Sequence, residues 1–376
     1  MVMNILIFDM DGVLIDVSRS YRETIQRTVY IYLERCLGFE RVKRRLVTKE
    51  EIALFKSIGG FNNDWDLTSG LLLYLLSLSD IPPQPKRKRF SSVQETTHYL
   101  KTESSKFPKN GPNLLQKKYL SPFLQRVESK GGGLIGVRRI LGSSWDGWVY
   151  GFGDLNRENI VKRIFQEVYL GDRFTSCHHL QPFFYRGQGY YLRERPLIAK
   201  EILAALRKKF RMGIASGRPR FEAELALKRF RLLPYFDSVV TLDECEEEEA
   251  RIFRSTRKRM KCSKPHPYSL LRVVQEMRIP NPRCGYVGDV ADDMKAAQRA
   301  KKELQILGIG FLGGPTKRQA MKESLFKAGA DLVIEHPRKL LQLIKPLHRN
   351  LGSSPKELAM IEGFKGPRVQ GFKGKQ

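Results

Sequence analysis

The residues best suited to chemistry stand just after short apolar runs. Residues 4–8 lead into Asp9-Met10-Asp11-Gly12-Val13. Side chains two apart leave a strand on the same face, so both carboxylates can project at its carboxyl end, where α/β sheets build their sites. Two close carboxylates repel. Unless a cation neutralises them one must keep a proton, so the pair asks for Mg²⁺ or for acid/base work, and Gly12 permits a tight turn beside them. The run 212–215 ends in Ser216-Gly217-Arg218, where a hydroxyl and backbone N–H groups at a helix start make either an anion site or an ordinary N-cap. Lys264-Pro265 precedes a helix beginning near Pro267. Lys264 itself closes a charged stretch in which the acids of 243–249 are answered by Arg251, Arg254, Arg257, Lys258, Arg259 and Lys261, the pattern of a self-complementing surface loop. The run 284–287 ends in Gly288-Asp289, with Asp292-Asp293 in the first turn of the next helix. Acids there are favourable dipole partners. Asp289, directly after a buried-looking strand, would be costly without a partner.

These positions need a scaffold. Six β-branched or aliphatic runs, at 4–8, 212–215, 238–242, 284–287, 307–312 and 331–334, punctuate the chain. Those after the first are separated by helix-like segments at 196–210 (apolar at Ile198, Ile202, Leu203 and Leu206), 220–230, 267–277 and 292–302. Strands alternating with helices of this length imply βαβ units and a doubly wound parallel sheet. About 200 residues between the first two strands lack that alternation and carry helical patterns at 20–37, 48–56, 66–77 and 156–169, the mark of an inserted helical domain. Inside it, Pro82, Pro83 and Pro85 lead into Lys86-Arg87-Lys88-Arg89, and polar composition continues through Lys130 and Gly131-Gly132-Gly133. Residues 81–150 therefore read as a flexible basic excursion. The tail, 346–376, repeats GFKG at 363–366 and 371–374 and is expected to be disordered.

In this order and at these strand ends, the four motifs resemble the haloacid dehalogenase-like superfamily of phosphohydrolases. The likeness covers residues 4–16 and about 196–345, including the closing Gly329-Ala330-Asp331-Leu332-Val333-Ile334 run. It implies an α/β core of residues 1–16 and 196–345 and a helical cap of residues 17–195, placed as in phosphoglycolate phosphatase-like members, with the segment from Gly59 to Asp66 facing the core. It further implies Asp9 as a nucleophile that takes the phosphoryl group and Asp11 as general acid and base. Ser216, Gly217 and Lys264 would hold phosphate oxygens. Asp9, Asp289 and the backbone carbonyl of Asp11 would hold Mg²⁺, Asp293 would be the assisting second acid, and Arg218 would position substrate. The implied activity is Mg²⁺-dependent hydrolysis of a small phosphomonoester, a phosphorylated metabolite, through an aspartyl-phosphate. A sugar-phosphate mutase uses the same Asp pair; a dehalogenase would not call for Asp11.

Composition bounds the alternatives. The chain has 376 residues and a formal net charge of +27. Residues 81–150 hold 13 basic and 4 acidic side chains, and residues 338–376 hold 9 and 2. Such surfaces attract phosphate, anionic substrates and nucleic acid alike, so a polyanion-binding module built on the insertion and tail is the rival reading. Only Phe90 and Tyr99 stand near the Lys/Arg cluster and no nucleic-acid motif is present, which disfavours it. The longest apolar stretch, 70–78, is far short of the ~20 residues a membrane helix needs. Residues 4–8, cut by Asp9 and Asp11, cannot form a signal-peptide core, and a cytoplasmic location is expected. Five scattered cysteines without a CxxC pair read as reduced packing residues. His178-His179, adjacent and so pointing apart, read as a solvated pair on the cap rather than as ligands.

Overall fold

Residues 5–8, Ile-Leu-Ile-Phe, are completely buried, and their side chains alternate between two cores. Leu6 and Phe8 belong to one hydrophobic cluster, Ile5 and Ile7 to the other. A strand packed on both faces is the signature of a sheet sandwiched between helices. The computed structural model describes residues 3–39, 46–61, 63–109, 119–313 and 318–344. In it, strands β1 (Ile5–Phe8), β4 (Arg211–Ala215), β5 (Ser238–Val240), β6 (Arg283–Gly288), β7 (Gln305–Phe311) and β8 (Leu332–Ile334) form one sheet in the order β5-β4-β1-β6-β7-β8. Every pairing is parallel. The expected α/β doubly wound class is what the structure shows. The order runs outward from β1 in both directions, so the carboxyl ends of β1, β4 and β6 meet at the point where the winding reverses, the place where such sheets bind ligands.

The helix at Arg220–Phe230 matches its expected span, and those at Tyr268–Met277 and Ala291–Ala300 shift by a residue or two. The stretch expected to be a charged loop is different: Leu242–Thr256 is a helix. Thr241 caps it, with Glu244 returning a bond to the Thr241 N–H at 2.6 Å. That local start signal, together with favourable acids in the first turn, outweighs the charge run that suggested a loop.

A two-stranded antiparallel ribbon pairs β2 (Ile15–Asp16) with β3 (Arg195–Pro196). The chain leaves the core through β2 and returns through β3. The residues between form the cap, whose helices include Tyr21–Ile31 (continued in wider π-type turns over Tyr32–Cys36), Lys49–Ser57, Asp64–Ser77 and Ile160–Leu170. The apolar stretch noticed in the sequence is the central cap helix Asp64–Ser77, buried on nearly every side, so no outer polar face is required of it. No helix among the described residues is long and apolar enough to cross a membrane.

The expectation of a flexible excursion at 81–150 does not hold for the described residues of that segment. They form helices at Val93–Ser105, Leu120–Ser129 and Gly133–Leu141 and bury Phe123, Leu124, Val127, Val137, Trp148 and Tyr150. The segment's ends are fastened to each other and to the rest of the cap. Trp148 Nε1 donates to Pro82 O at 2.8 Å, while the Tyr32 hydroxyl donates to Trp148 O at 2.8 Å and accepts the Tyr150 N–H at 3.0 Å. Part of the basic cluster is spent internally: Arg87 donates to the carbonyls of Phe152 and Glu158 and lies 4.3 Å over the Tyr150 ring. Average polarity hid apolar residues three and four apart, which is all an amphipathic helix needs. The GFKG-repeat tail lies outside the described residues.

Candidate active site

Asp9 follows β1, its N–H donating to Val287 O of β6 at 2.8 Å, and its side chain is buried at 6% exposure. Lys264 reaches it from the turn before the Tyr268–Met277 helix, placing Nζ 2.6 Å from Asp9 Oδ1, 2.7 Å from Asp293 Oδ1 and 3.0 Å from the Tyr286 hydroxyl. Asp293 is wholly buried and uses both oxygens. Oδ1 also accepts the Tyr286 O–H at 2.7 Å, and Oδ2 accepts the N–H groups of Asp289 and Val290 at 3.1 and 3.2 Å. It therefore caps the helix that carries it and anchors Lys264 at once.

Asp289 follows β6 and faces Gly12. A Cβ on Gly12, whose φ is +78°, would lie 2.0 Å from Asp289 Oδ2; only glycine allows both this backbone and this approach. The carboxylates of Asp9, Asp289 and Asp293 each offer an oxygen within 4.8 Å of the others. Burial pushes Asp9 up from the usual carboxylate range to about 7, against the opposing pull of Lys264 and with Asp293 and Asp11 adding to the rise. Burial, then Asp293 and Asp9, push Asp289 well above its ordinary value. Lys264, although burial disfavours its charge, is held protonated by Asp293 and Asp9. Two buried carboxylates, Asp9 and Asp293, share Lys264 in contact, and the half-buried Asp289 stands beside them. Such a set fits a hard divalent cation with oxygen ligands, and Asp9 Oδ2 and the Asp289 carboxylate, which have no hydrogen bond among the described residues, are the oxygens left to hold it.

Asp11 does not turn its carboxylate toward this cluster. Its Oδ1 accepts from Arg218 Nε at 2.7 Å and lies 2.6 Å from Arg218 Nη2, and its main-chain carbonyl stays available for a ligand role. Arg218 is likewise not placed as a substrate-positioning group. It is 1% exposed, and its remaining N–H groups go to Tyr169 Oη at 3.1 Å and to Glu194 at 3.1 and 3.3 Å. Ser216 sits at the end of β4, its N–H on Val240 O at 2.9 Å and its Oγ accepting the Arg218 N–H at 3.1 Å. Ser216, Gly217 and Lys264 line a cavity of about 10 Å³ together with Leu242, Cys245, Ser263 and Ser269. That is room for about one water.

The cap contributes as well. Gly60 N donates to Asp292 Oδ2 at 2.9 Å, bringing the segment that begins at Gly59 against the core, so Asp292 holds the cap loop and stands outside the carboxylate cluster. Lys56, paired with Asp64 at 2.8 Å, lies close enough to oppose the rise at Asp289. His178 is half-buried with Nε2 3.1 Å from Gln166 Oε1, and burial lowers it to about 4; only His179 of that pair is exposed. The sequence reading passed over Tyr286, Glu194, Tyr169 and Lys56. Tyr286 sits inside an apolar strand run and Tyr169 inside an apolar helical face, where a hydroxyl leaves no periodic trace.

Residues 160–301 match the family model described as haloacid dehalogenase-like hydrolase. The match covers less than half of the chain and makes that part similar to a haloacid dehalogenase-like hydrolase, in keeping with the parallel sheet order around it. The matched span takes in Ser216, Lys264, Asp289 and Asp293 but not the first strand. Among solved structures, the X-ray structure of a structural-genomics target is 20% identical with a TM-score of 0.59, over 91% of this chain and 98% of that one, and shares the fold. Phosphatase Tt82 from Thermococcus thioreducens is 21% identical with a TM-score of 0.47, over 86% of this chain and 99% of that one. No curated protein matches the sequence.

Proposed function

We propose that the protein is a Mg²⁺-dependent phosphatase that hydrolyses a small phosphomonoester through an aspartyl-phosphate on Asp9. The observation that carries this reading is the cluster of Asp9, Asp289 and Asp293 at the winding reversal of the sheet, with Lys264 paired to Asp9 and Asp293. Asp9 and Asp289, with the main-chain carbonyl of Asp11, would hold Mg²⁺. When bound, the cation supplies positive charge to the phosphoryl oxygens and balances the carboxylates. The rest is the work of the chain. Lys264 favours the ionised form of Asp9, opposing burial, and with Ser216 and the backbone of Gly217 offers donors to phosphoryl oxygens. Asp9 attacks phosphorus and the ester oxygen leaves with a proton from Asp11. Asp11, now a carboxylate, takes a proton from water, whose oxygen attacks the phosphorus of the aspartyl-phosphate. Inorganic phosphate departs and both carboxyl groups return to their starting states.

The substrate proposed is a small phosphorylated metabolite, because the cap stands over the site and its loop at Gly60 touches the core. Five unpaired cysteines, four of them buried, support a reducing, cytoplasmic setting. A phosphomonoester panel assayed with and without Mg²⁺ tests the reading. Turnover of at least one ester should require Mg²⁺, and Asp9→Asn, nearly isosteric but unable to attack phosphorus, should leave below about 1% of the rate with the fold intact. Retained turnover in that variant would remove Asp9 as the nucleophile.

A further inference from the structure

The Arg218 guanidinium makes four hydrogen bonds inside the protein and a further close ion-pair contact. Nε and Nη2 converge on a single oxygen of Asp11, and Nη1 and Nη2 engage both oxygens of Glu194. Nη1 also meets the Tyr169 hydroxyl, and the guanidinium lies 4.9 Å over the Tyr21 ring. Glu194 is buried at 3% exposure. Its Oε1 additionally accepts the Tyr169 O–H at 2.9 Å and the Ser20 O–H at 3.1 Å. Apart from Asp11, each of these contacts is to the cap: Ser20 and Tyr21 begin its first helix, Tyr169 ends the Ile160–Leu170 helix, and Glu194 is the last residue before β3. A planar fork fixed on one side by the cap leaves little freedom on the other. Asp11 Oδ1 is occupied, while Oδ2 has no hydrogen bond among the described residues and is free to carry the proton.

We propose that Arg218 and Glu194 are positioning residues that aim Asp11, so that proton transfer to the leaving oxygen depends on the cap being seated. The proposal rests on the reading of Asp11 as general acid and base. Arg218 touches no substrate; it acts through Asp11, and Glu194 acts through Arg218.

The test compares two esters with Mg²⁺ present: an alkyl phosphate, whose leaving oxygen needs a proton, and 2,4-dinitrophenyl phosphate, whose leaving group does not. The value of kcat/KM covers the steps through departure of that group. Glu194→Gln and Arg218→Lys should each lower kcat/KM for the alkyl ester at least about 10-fold and leave the dinitrophenyl ester within about 3-fold. Tyr169→Phe, which removes one hydroxyl and keeps the charges, should give a smaller loss with the same selectivity, and serves if the charged-site variants fold poorly. Glu222→Gln, on the same cap–core seam but not bonded to Arg218 or Asp11, should change neither ester. In an Asp11→Asn background Glu194→Gln should add nothing. Parallel loss on both esters, no loss on either, or full additivity with Asp11→Asn would each overturn the proposal. A wild-type protein that cleaves neither ester would instead overturn the phosphatase reading beneath it.

Discussion

Glu222→Gln measures how the cap is joined to the core. Glu222, on the core helix Arg220–Phe230, is wholly buried and bridges to two cap helices: the Tyr21 hydroxyl donates to one oxygen and Gln166 Nε2 to the other at 2.7 Å. Burial dominates and raises its carboxyl from 4.5 to about 7; the two hydrogen bonds and nearby Arg218 favour the ionised form, and Asp11 opposes it. A folded-state value above the unfolded one means the native protein holds this proton more tightly. The stability so gained is complete below about pH 4.5 and is lost as the pH rises through about 7. At about 1.4 kcal/mol per pKa unit, the gap is worth about 3 kcal/mol. Glutamine has the same shape and never ionises, so relative to wild type the variant should gain about 3 kcal/mol between about pH 4.5 and about pH 8. The assay is urea unfolding across that range in EDTA, followed by tryptophan fluorescence, since Trp65, Trp145 and Trp148 all lie in the cap. The carboxylates around Asp9 titrate in both proteins and cancel in the difference. A difference that stays flat with pH, or that moves toward wild type as pH rises, would refute the assignment of Glu222 as a proton-holding bridge.

Asp11→Asn should lower turnover of alkyl phosphates by about 10²–10⁴-fold while still allowing Asp9 to be phosphorylated by activated esters, so that acid-quenched phosphoenzyme accumulates. Equal loss of both half-reactions would contradict its role. Gly12→Ala should weaken Mg²⁺ activation by about 10- to 100-fold, the equivalent of about 1–3 kcal/mol of backbone strain and displacement of Asp289; a Mg²⁺ titration with an unchanged midpoint would contradict the tight fit. Replacing residues 82–145 with a short Gly/Ser linker should cost the cap its fold, because Phe123, Leu124, Val127 and Val137 leave the core and Trp148 loses the Pro82 carbonyl. Thermal melts of the purified variant would show this, and a melting temperature equal to wild type would mean that the segment is dispensable.

What was legible in the sequence was what repeats or what charge makes expensive. The apolar runs gave the strands because a strand buried on both faces cannot hide polar residues, and the order of strands and helices gave the parallel sheet. Asp9 and Asp289 stood out as charged residues at the ends of buried strands, Lys264 and Asp293 gained roles only through the resemblance carried by the motifs together, and the structure brings those four together. The direction of a side chain is another matter. Asp9 and Asp11 sit two apart and share a face only while the chain stays extended, but the turn at Gly12 begins at once, and Arg218 then takes the Asp11 carboxylate. That arginine was readable as a substrate group only because Glu194, about two dozen residues earlier in the chain, gave no sign of being its partner. Leu242–Thr256 and the basic segment failed for a common reason: composition was weighed over windows wide enough to blur a capping residue or a one-in-four apolar stripe.

The placement of β1 at the middle of the sheet has a consequence for synthesis. Ile5 pairs with Arg211 on one side and Cys284 on the other, so β1, once synthesised, waits for roughly 200 further residues before either edge is covered. At about 5–20 residues per second this is on the order of 10–40 s. Throughout that interval Ile5-Leu6-Ile7-Phe8 is a bare apolar strand with two open edges, the kind of segment that pairs with other nascent chains. The cap emerges within the same interval, and its apolar residues belong to the same hydrophobic cluster as Leu6 and Phe8 of that strand. The nascent chain thus carries an unprotected strand ahead of the cap, and holdase chaperones that bind short apolar segments would find their target in residues 5–8.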